Sequence, residues 1–274
     1  MSARSLRGRA ALVTGVSRRQ GIGFAIASRL VRSGADVLVT HHRLHDLDQP
    51  WGGDDLQAVM QELDANRADS SQRVVDLAVD LAQDGAPEAA VHRAVTELGH
   101  LDILVCNHAR SGGDGALGDL TAEMLDAHWT VNARSSLLLV QAFAAQHDGR
   151  PGGRVVLMTS GQGLGPMPGE VAYAASKAAL AGVTVTLADQ LADVGITVNT
   201  VNPGPVDTGY MTPEIMARVA PMFPFGRMGE PDDPARLVEW LVSDEGRWVT
   251  GQVLNTEGGF ARWRSPADGR PPEA

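Results

Sequence analysis

In the run Tyr173-Ala174-Ala175-Ser176-Lys177 a phenol and an ammonium stand four residues apart, and on a helix that spacing puts both on one face. A free phenol titrates near about pH 10, and a positive charge a few ångströms away favours the phenolate. A tyrosine tuned in this way trades protons with a carbonyl or an alcohol. The spacing alone is common on helix surfaces, so the chemistry has to be argued from what else the chain carries.

Near the N-terminus, Ala10-Ala11-Leu12-Val13 is a short apolar run that ends in Thr14-Gly15 and predicts a buried strand. Val16-Ser17-Arg18-Arg19-Gln20-Gly21-Ile22-Gly23 follows, then an apolar stretch over 24–31 that suits a buried helix, then a second strand over 36–40. Strand, glycine turn and helix make a phosphate cradle. The glycines let the backbone approach a pyrophosphate, and the unpaired N–H groups at the helix start face the anion. Gly15, Ser17, Arg18, Arg19, Gly21, Ile22 and Gly23 are therefore the candidate residues for holding a dinucleotide. Further along, Ser160 follows a strand-like run over 154–159, thirteen residues before Tyr173, and Asn132 lies in Trp129-Thr130-Val131-Asn132 on a helix that precedes that strand.

With these residues in this order the chain resembles the short-chain dehydrogenase/reductase family. That pattern is a Thr-Gly-rich loop, then Asn, Ser and Tyr-x-x-x-Lys, then Pro-Gly, the last matched here by Asn202-Pro203-Gly204-Pro205-Val206-Asp207-Thr208. The resemblance runs from about residue 7 to about residue 260 and is of the β-ketoacyl-reductase type. It implies hydride transfer between a nicotinamide and a carbonyl carbon, with Tyr173 as the acid and Ser160 as hydrogen-bond donor to the carbonyl oxygen. Lys177 would hold the nicotinamide ribose and depress the tyrosine pKa, and Asn132 would link the lysine to a proton relay. For Asn132 a structural tie from helix to backbone is the rival reading. Asn107 matches the family asparagine beside the cofactor, Asp80 and Leu81 the position that touches the adenine, and Pro203, Gly204, Val206 and Thr208 the segment on the nicotinamide side. A strand-end cap competes for Asp80. Association into a tetramer or a dimer follows from the resemblance alone.

Apolar strand candidates alternate with helical stretches, as right-handed βαβ units require. The remaining strands are expected over 74–80, 103–106, 196–201 and 253–256, seven in all. The first six fit a doubly wound Rossmann order of 3-2-1-4-5-6, with the seventh at the edge as in the family. A helix over 235–241 is announced by Pro231-Asp232-Asp233-Pro234. At 274 residues, 43% of them hydrophobic, the chain is expected to be one α/β domain with a seven-stranded parallel sheet flanked by helices, its core over 7–260. The tail over 264–274 has nothing to bury.

Composition narrows the partners. Acidic residues number 33 against 23 basic, a net charge of −10, which disfavours nucleic acid and anionic membranes. No apolar stretch reads as long enough to cross a bilayer and the first seven residues lack a signal-peptide core, so a cytoplasmic enzyme acting on a small carbonyl or alcohol is expected. The single cysteine, Cys106, excludes an internal disulfide and reads as an inert buried thiol.

Cofactor choice depends on the end of the second strand, where a carboxylate would accept from free ribose hydroxyls. The chain reads His41-His42-Arg43 there, with no carboxylate to repel a 2′-phosphate, so Arg43, helped by Arg18 and Arg19, favours NADP(H), with NAD(H) as the second option. His41, His42, His45, Asp46 and Asp48 have no fixed ligand spacing, and no metal is expected.

Three departures from the family pattern stand out: two extra residues between Gly15 and Gly21, His108 in place of a small residue after Asn107, and a longer connection over 44–53 that Trp51 would pack down. His108 would crowd the cofactor, point into the substrate pocket, or pack; packing is the preferred reading. Substrate identity should lie in 111–118, 162–169 and 207–229, where Met167, Met211, Met222, Phe223 and Phe225 suit either an apolar chamber under a lid or a core or subunit contact. The reading is an NADPH-dependent reductase of ketones or β-ketoacyl groups. Its alternatives are an NAD-linked alcohol dehydrogenase and a dinucleotide-binding regulator without chemistry.

Overall fold

In a parallel sheet covered on both faces the strands must be apolar throughout, with successive side chains facing opposite layers. The computed structural model, which describes residues 5–49, 52–209 and 211–261, follows this rule in its central strands, while the edge strands are partly exposed. The expectations for Trp51 and for the tail over 264–274 lie outside the described residues. Strands β1 (Ala10–Val13), β4 (Ile103–Cys106) and β5 (Gly153–Met158) are buried along their whole length. Ala11 and Val13 face one core, with Ile103 and Val105; Ala10 and Leu12 face the other, with Leu104 and Cys106. Each fully buried Leu, Ile, Val or Phe side chain contributes about 1.5–3 kcal/mol of transfer free energy.

With β2 (Asp36–His41), β3 (Val74–Ala78), β6 (Ile196–Asn202) and β7 (Val253–Asn255) the strands form one seven-stranded sheet, order β3-β2-β1-β4-β5-β6-β7, every pairing parallel. The expected strands are all present, with ends shifted by one or two residues; β3 stops at Ala78, before Asp80. Helix α1 (Ile22–Arg32) lies on one face with α3 (Leu56–Ala65) and α9 (Asp232–Val242). Helices α4 (Ala86–Leu98), α6 (Ser135–Gln146) and α7 (Val171–Ala192) cover the other. Short helices α2 (Arg43–Leu47), α5 (Ala122–His128) and α8 (Pro213–Val219) occupy the connections. Strand order reverses between β1 and β4, which opens a crevice beyond their C-terminal ends, the place where such sheets bind ligands.

One expectation is corrected. Helix α7, with 22 residues and a mean hydropathy of 1.4 in its most apolar window, is long and apolar enough to cross a membrane. Tyr173 and Lys177 are polar, and most of the other residues of the helix are apolar. In the fold it packs against β6 and β5 as a covering helix of the sheet, which accounts for the third of that window that is buried.

Candidate active site

Gly15 and Gly23 are where the glycine loop is fixed by close approach. Gly15 has φ +73°, and a Cβ there would stand 2.7 Å from the His108 Cα; a Cβ on Gly23 would stand 2.5 Å from the Gly15 carbonyl oxygen. The loop is tied to β4 by Asn107, whose Nδ2 donates to the carbonyls of Thr14 (3.0 Å) and Gly15 (3.1 Å). Helix α1 begins at Gly21 with no side-chain cap, so the N–H groups of its first turn are left to a ligand. They face a cavity of about 420 Å³ whose lining includes Gly15, Ser17, Arg18, Gly21, Ile22, Gly23, Asp80, Leu81, Asn107 and Thr208. An uncapped helix start behind a glycine loop, opening on a cavity at the sheet's reversal point, fits a dinucleotide.

The far end of the cavity is walled by His41, His42, Leu44, His45, Asp46 and Asp48. Two features of the sequence reading change here. Arg19 and Arg43 are absent from the lining: Arg19 makes a two-pronged pair with Asp54 (2.9 and 2.8 Å), and Arg43 Nε donates to the Asp54 carbonyl (3.2 Å). Only Arg18 of the three arginines reaches the cavity, and its guanidinium also donates to the Thr208 carbonyl, which joins the glycine loop to the segment after β6. Carboxylates are present after all, since the short helix α2 and the residue that ends it bring Asp46 and Asp48 to the wall. For Asp80 the structure shows the capping role. Its carboxylate caps the following turn through Ala82 N (3.0 Å) and Gln83 Nε2 (2.8 Å), and the residue lines the cavity with Leu81.

His108 packs, as preferred. Its Nε2 lies 3.0 Å from the Val131 carbonyl, which can only accept, so Nε2 carries the proton and Nδ1 accepts from the Thr14 hydroxyl at 2.7 Å. Burial, with the nearby Lys177 charge, pushes this imidazole down to about 3, so it stays neutral while forming part of the cavity wall. Cys106 is inert for the same physical reason: burial raises its thiol to about 12.

Tyr173 sits half-buried in the first turn of α7. Lys177, one turn on, is 2% exposed; its Nζ donates to the Met158 carbonyl at 2.8 Å and lies 5.8 Å from the centre of the Tyr173 ring. Burial lowers this ammonium to about 8, which leaves it mainly charged at neutral pH. The Thr159 hydroxyl donates to the Lys177 carbonyl (2.7 Å), which pins the end of β5 to α7 and sets Ser160, the next residue, at the mouth of the turn over Gly161–Gly163. Asn132 lies in a single π-helical turn, Trp129–Arg134, between α5 and α6. Its Nδ2 donates to Ser176 Oγ (2.9 Å), its Oδ1 accepts from Arg110 N (2.7 Å), and its carbonyl accepts from Ser136 Oγ (2.8 Å). Its amide therefore acts as the helix-to-backbone tie that was its rival reading.

Asn132, Tyr173, Ser176 and Lys177 are thus brought together on two packed elements. Pro203, Gly204 and Val206 are set apart from the large cavity; Gly204, with φ +66°, lies in a small hollow with Gly161 and Leu164. The sequence reading missed Asp114 and His128. Asp114 accepts from the backbone N–H of Tyr173 itself, and the buried His128 ring stands edge-on to the tyrosine ring. Neither belongs to a local motif; Asp114 lies 59 residues from Tyr173, so only the fold could reveal it.

A Rossmann sheet with this glycine loop and this Asn, Ser, Tyr and Lys set defines a class, and the chain belongs to the short-chain dehydrogenase/reductase family: the family model described as "Enoyl-(Acyl carrier protein) reductase" matches residues 15–261. Among its relatives is an uncharacterized oxidoreductase of Bacillus subtilis (strain 168), YjdA, 41% identical over 92% of this chain and 96% of that protein. Another is an NADPH-dependent aldehyde reductase-like protein, chloroplastic, of Arabidopsis thaliana, 35% identical over 93% and 95%. Among solved structures, a short chain dehydrogenase from Burkholderia cenocepacia J2315 in complex with NADP matches with a TM-score of 0.80 and 38% identity, over 93% of this chain and 98% of that one. The chain is an oxidoreductase of this family, acting on alcohol or carbonyl groups.

Proposed function

We propose that the protein reduces a ketone, a β-ketoacyl group or a related small carbonyl compound with NADPH, Tyr173 giving the proton to the carbonyl oxygen. The observation that carries the reading is the buried, largely charged Lys177 with its Nζ 5.8 Å from the Tyr173 ring, in a fold whose glycine loop opens on a cavity suited to a dinucleotide, although Ser160, Tyr173 and Lys177 do not themselves line that cavity. The bound nicotinamide would supply the hydride. Tyr173 would donate its proton as negative charge develops on the substrate oxygen, and the positive charge of Lys177 would stabilise the phenolate left behind. Ser160, at the C-terminal end of β5, would donate a hydrogen bond to the same oxygen, an interaction that strengthens toward the transition state. Asn132 would tie the π turn to α7, and Thr159 would tie the end of β5 to it, while this happens.

The preference for the phosphorylated cofactor is supported by Arg18 in the cavity wall, by His41 and His42 where an acid would otherwise end β2, and by NADP or NADPH in the descriptions of two relatives. Asp46 and Asp48 act against it, so Arg18 is the residue on which the preference rests.

The test is a panel of aldehydes, ketones and β-ketoesters followed by nicotinamide absorbance, with NADPH and NADH compared by fluorescence titration. Tyr173→Phe should lower kcat by about 10²–10⁴, the range for loss of a general acid, while cofactor affinity stays unchanged. Full turnover by that variant would refute the acid role, and tighter binding of NADH would overturn the cofactor preference.

A further inference from the structure

We infer that Asp114 is a positioning residue that fixes Tyr173 and couples its setting to the 110–115 loop, an inference that rests on the reading of Tyr173 as the proton donor. The first N–H groups of a helix have no acceptor within it, and Glu170, at the capping position of α7, makes no side-chain capping hydrogen bond to them. The loop takes that role instead. Val171 N donates to the Gly115 carbonyl (3.3 Å), Ala172 N to Asp114 Oδ1 (3.0 Å) and Tyr173 N to Asp114 Oδ2 (2.7 Å). A cap supplied by Asp114 and Gly115, more than fifty residues upstream, thus holds the three residues that open the helix, the catalytic candidate among them.

The Asp114 side chain is only 6% exposed and also accepts from Gly115 N at 2.7 Å. Burial works to raise its pKa, but the backbone donors, led by Tyr173 N, and the neighbouring His128 outweigh burial and lower it, so a full negative charge meets the positive end of the helix. The same loop is held on its other side. Asn132 bonds both the N–H (2.7 Å) and the carbonyl (3.3 Å) of Arg110, and His128 Nε2 donates to the Gly112 carbonyl (3.2 Å). The His128 ring then meets the Tyr173 ring edge-on, centroids 6.0 Å apart at 85°. Residues 110–115 therefore bridge the two elements that carry Asn132 and Tyr173. A substrate that presses on this loop acts on the tyrosine through three hydrogen bonds.

Asp114→Ala and Asp114→Asn in the full-length protein test this, read by amide hydrogen exchange at Ala172 and Tyr173 and by kcat and KM. In the alanine variant both amides should exchange at least about tenfold faster, and kcat should fall roughly 10- to 100-fold, as loss of a hydrogen bond to a charged group implies, with cofactor affinity within about twofold of the parent. Asp114→Asn, which keeps one acceptor, should recover part of both losses. Unchanged exchange at Ala172 and Tyr173 in both variants would overturn the inference, as would a parental kcat in Asp114→Ala while Tyr173→Phe is inactive. Should the alanine variant fail to fold, the exchange and kcat of the asparagine variant decide alone. Since exchange needs no turnover, failure of the acid role would show in Tyr173→Phe and leave this result separately readable.

Discussion

Lys177 owes its behaviour to burial. An ammonium that is 2% exposed, with the Met158 carbonyl at 2.8 Å, gives up its proton near pH 8 because desolvation penalises the charged form. The sign of the consequence is fixed: the charge beside Tyr173 is present below about pH 8 and lost above it. Carbonyl reduction should therefore fall as pH rises through about 8. Lys177→Met should lower kcat and remove that limb of the pH profile; a profile with the same limb in the methionine variant would assign it to another group. His108 gives the opposite lesson. Held neutral, with its Nε2 proton directed at the Val131 carbonyl and its Nδ1 occupied by the Thr14 hydroxyl, this half-buried imidazole does not titrate near neutral pH.

At the scale of elements, the glycine loop depends on two backbone contacts that admit no side chain. A methyl group on residue 23 would meet the Gly15 carbonyl oxygen at 2.5 Å and Asn107 Nδ2 at 2.6 Å, the atoms that hold the loop against β4. Gly23→Ala is expected to cost about 1–3 kcal/mol of stability, typical of overpacking, and to weaken dinucleotide binding more than it lowers the rate of the bound complex. Urea denaturation and fluorescence titration separate the two effects. Parental cofactor affinity in a destabilised variant would mean that the loop relaxes without moving its N–H groups. The π turn acts in a comparable way on the other side of the site, since it carries Asn132 and Val131 between α5 and α6 so that one reaches Ser176 and the other His108.

Across the whole molecule, α1 and α9 are joined by charge as well as by their shared core. Arg29 donates to Asp232 (2.5 and 2.6 Å) and to Glu239 (2.8 Å), and Glu239 accepts from the Ser33 hydroxyl (2.5 Å). The hydrogen bond from Arg29 is the main reason the Asp232 carboxyl falls from 3.8 to about 2. A carboxylate with a depressed folded pKa stabilises the fold fully above its unfolded value, and that contribution is lost as pH falls through the folded one. The urea midpoint should accordingly drop between about pH 4 and pH 2, and Arg29→Met should flatten the part of that drop due to Asp232. An identical acid profile in the variant would assign the drop to other carboxylates. At neutral pH the same variant leaves Glu239, whose side chain is 9% exposed, without its cation, and should be destabilised outright.

Local order was written into the chain by itself. Apolar runs such as 10–13 and 103–106 can only be strands buried on both faces, the glycines after Val13 can only be a tight approach, and Tyr173 and Lys177 share a face because a helix repeats every 3.6 residues. These are relations between near neighbours, set by steric and hydrophobic rules that act along the backbone. What joins distant residues was decided by the tertiary structure. Arg19 and Arg43 turned to Asp54, Asp46 and Asp48 came to the cavity wall on a short helix, and Asp114 capped a helix that begins more than fifty residues later. In each case a charge or an orphan N–H took the partner that folding brought near, and composition and spacing carry no record of which partner that will be.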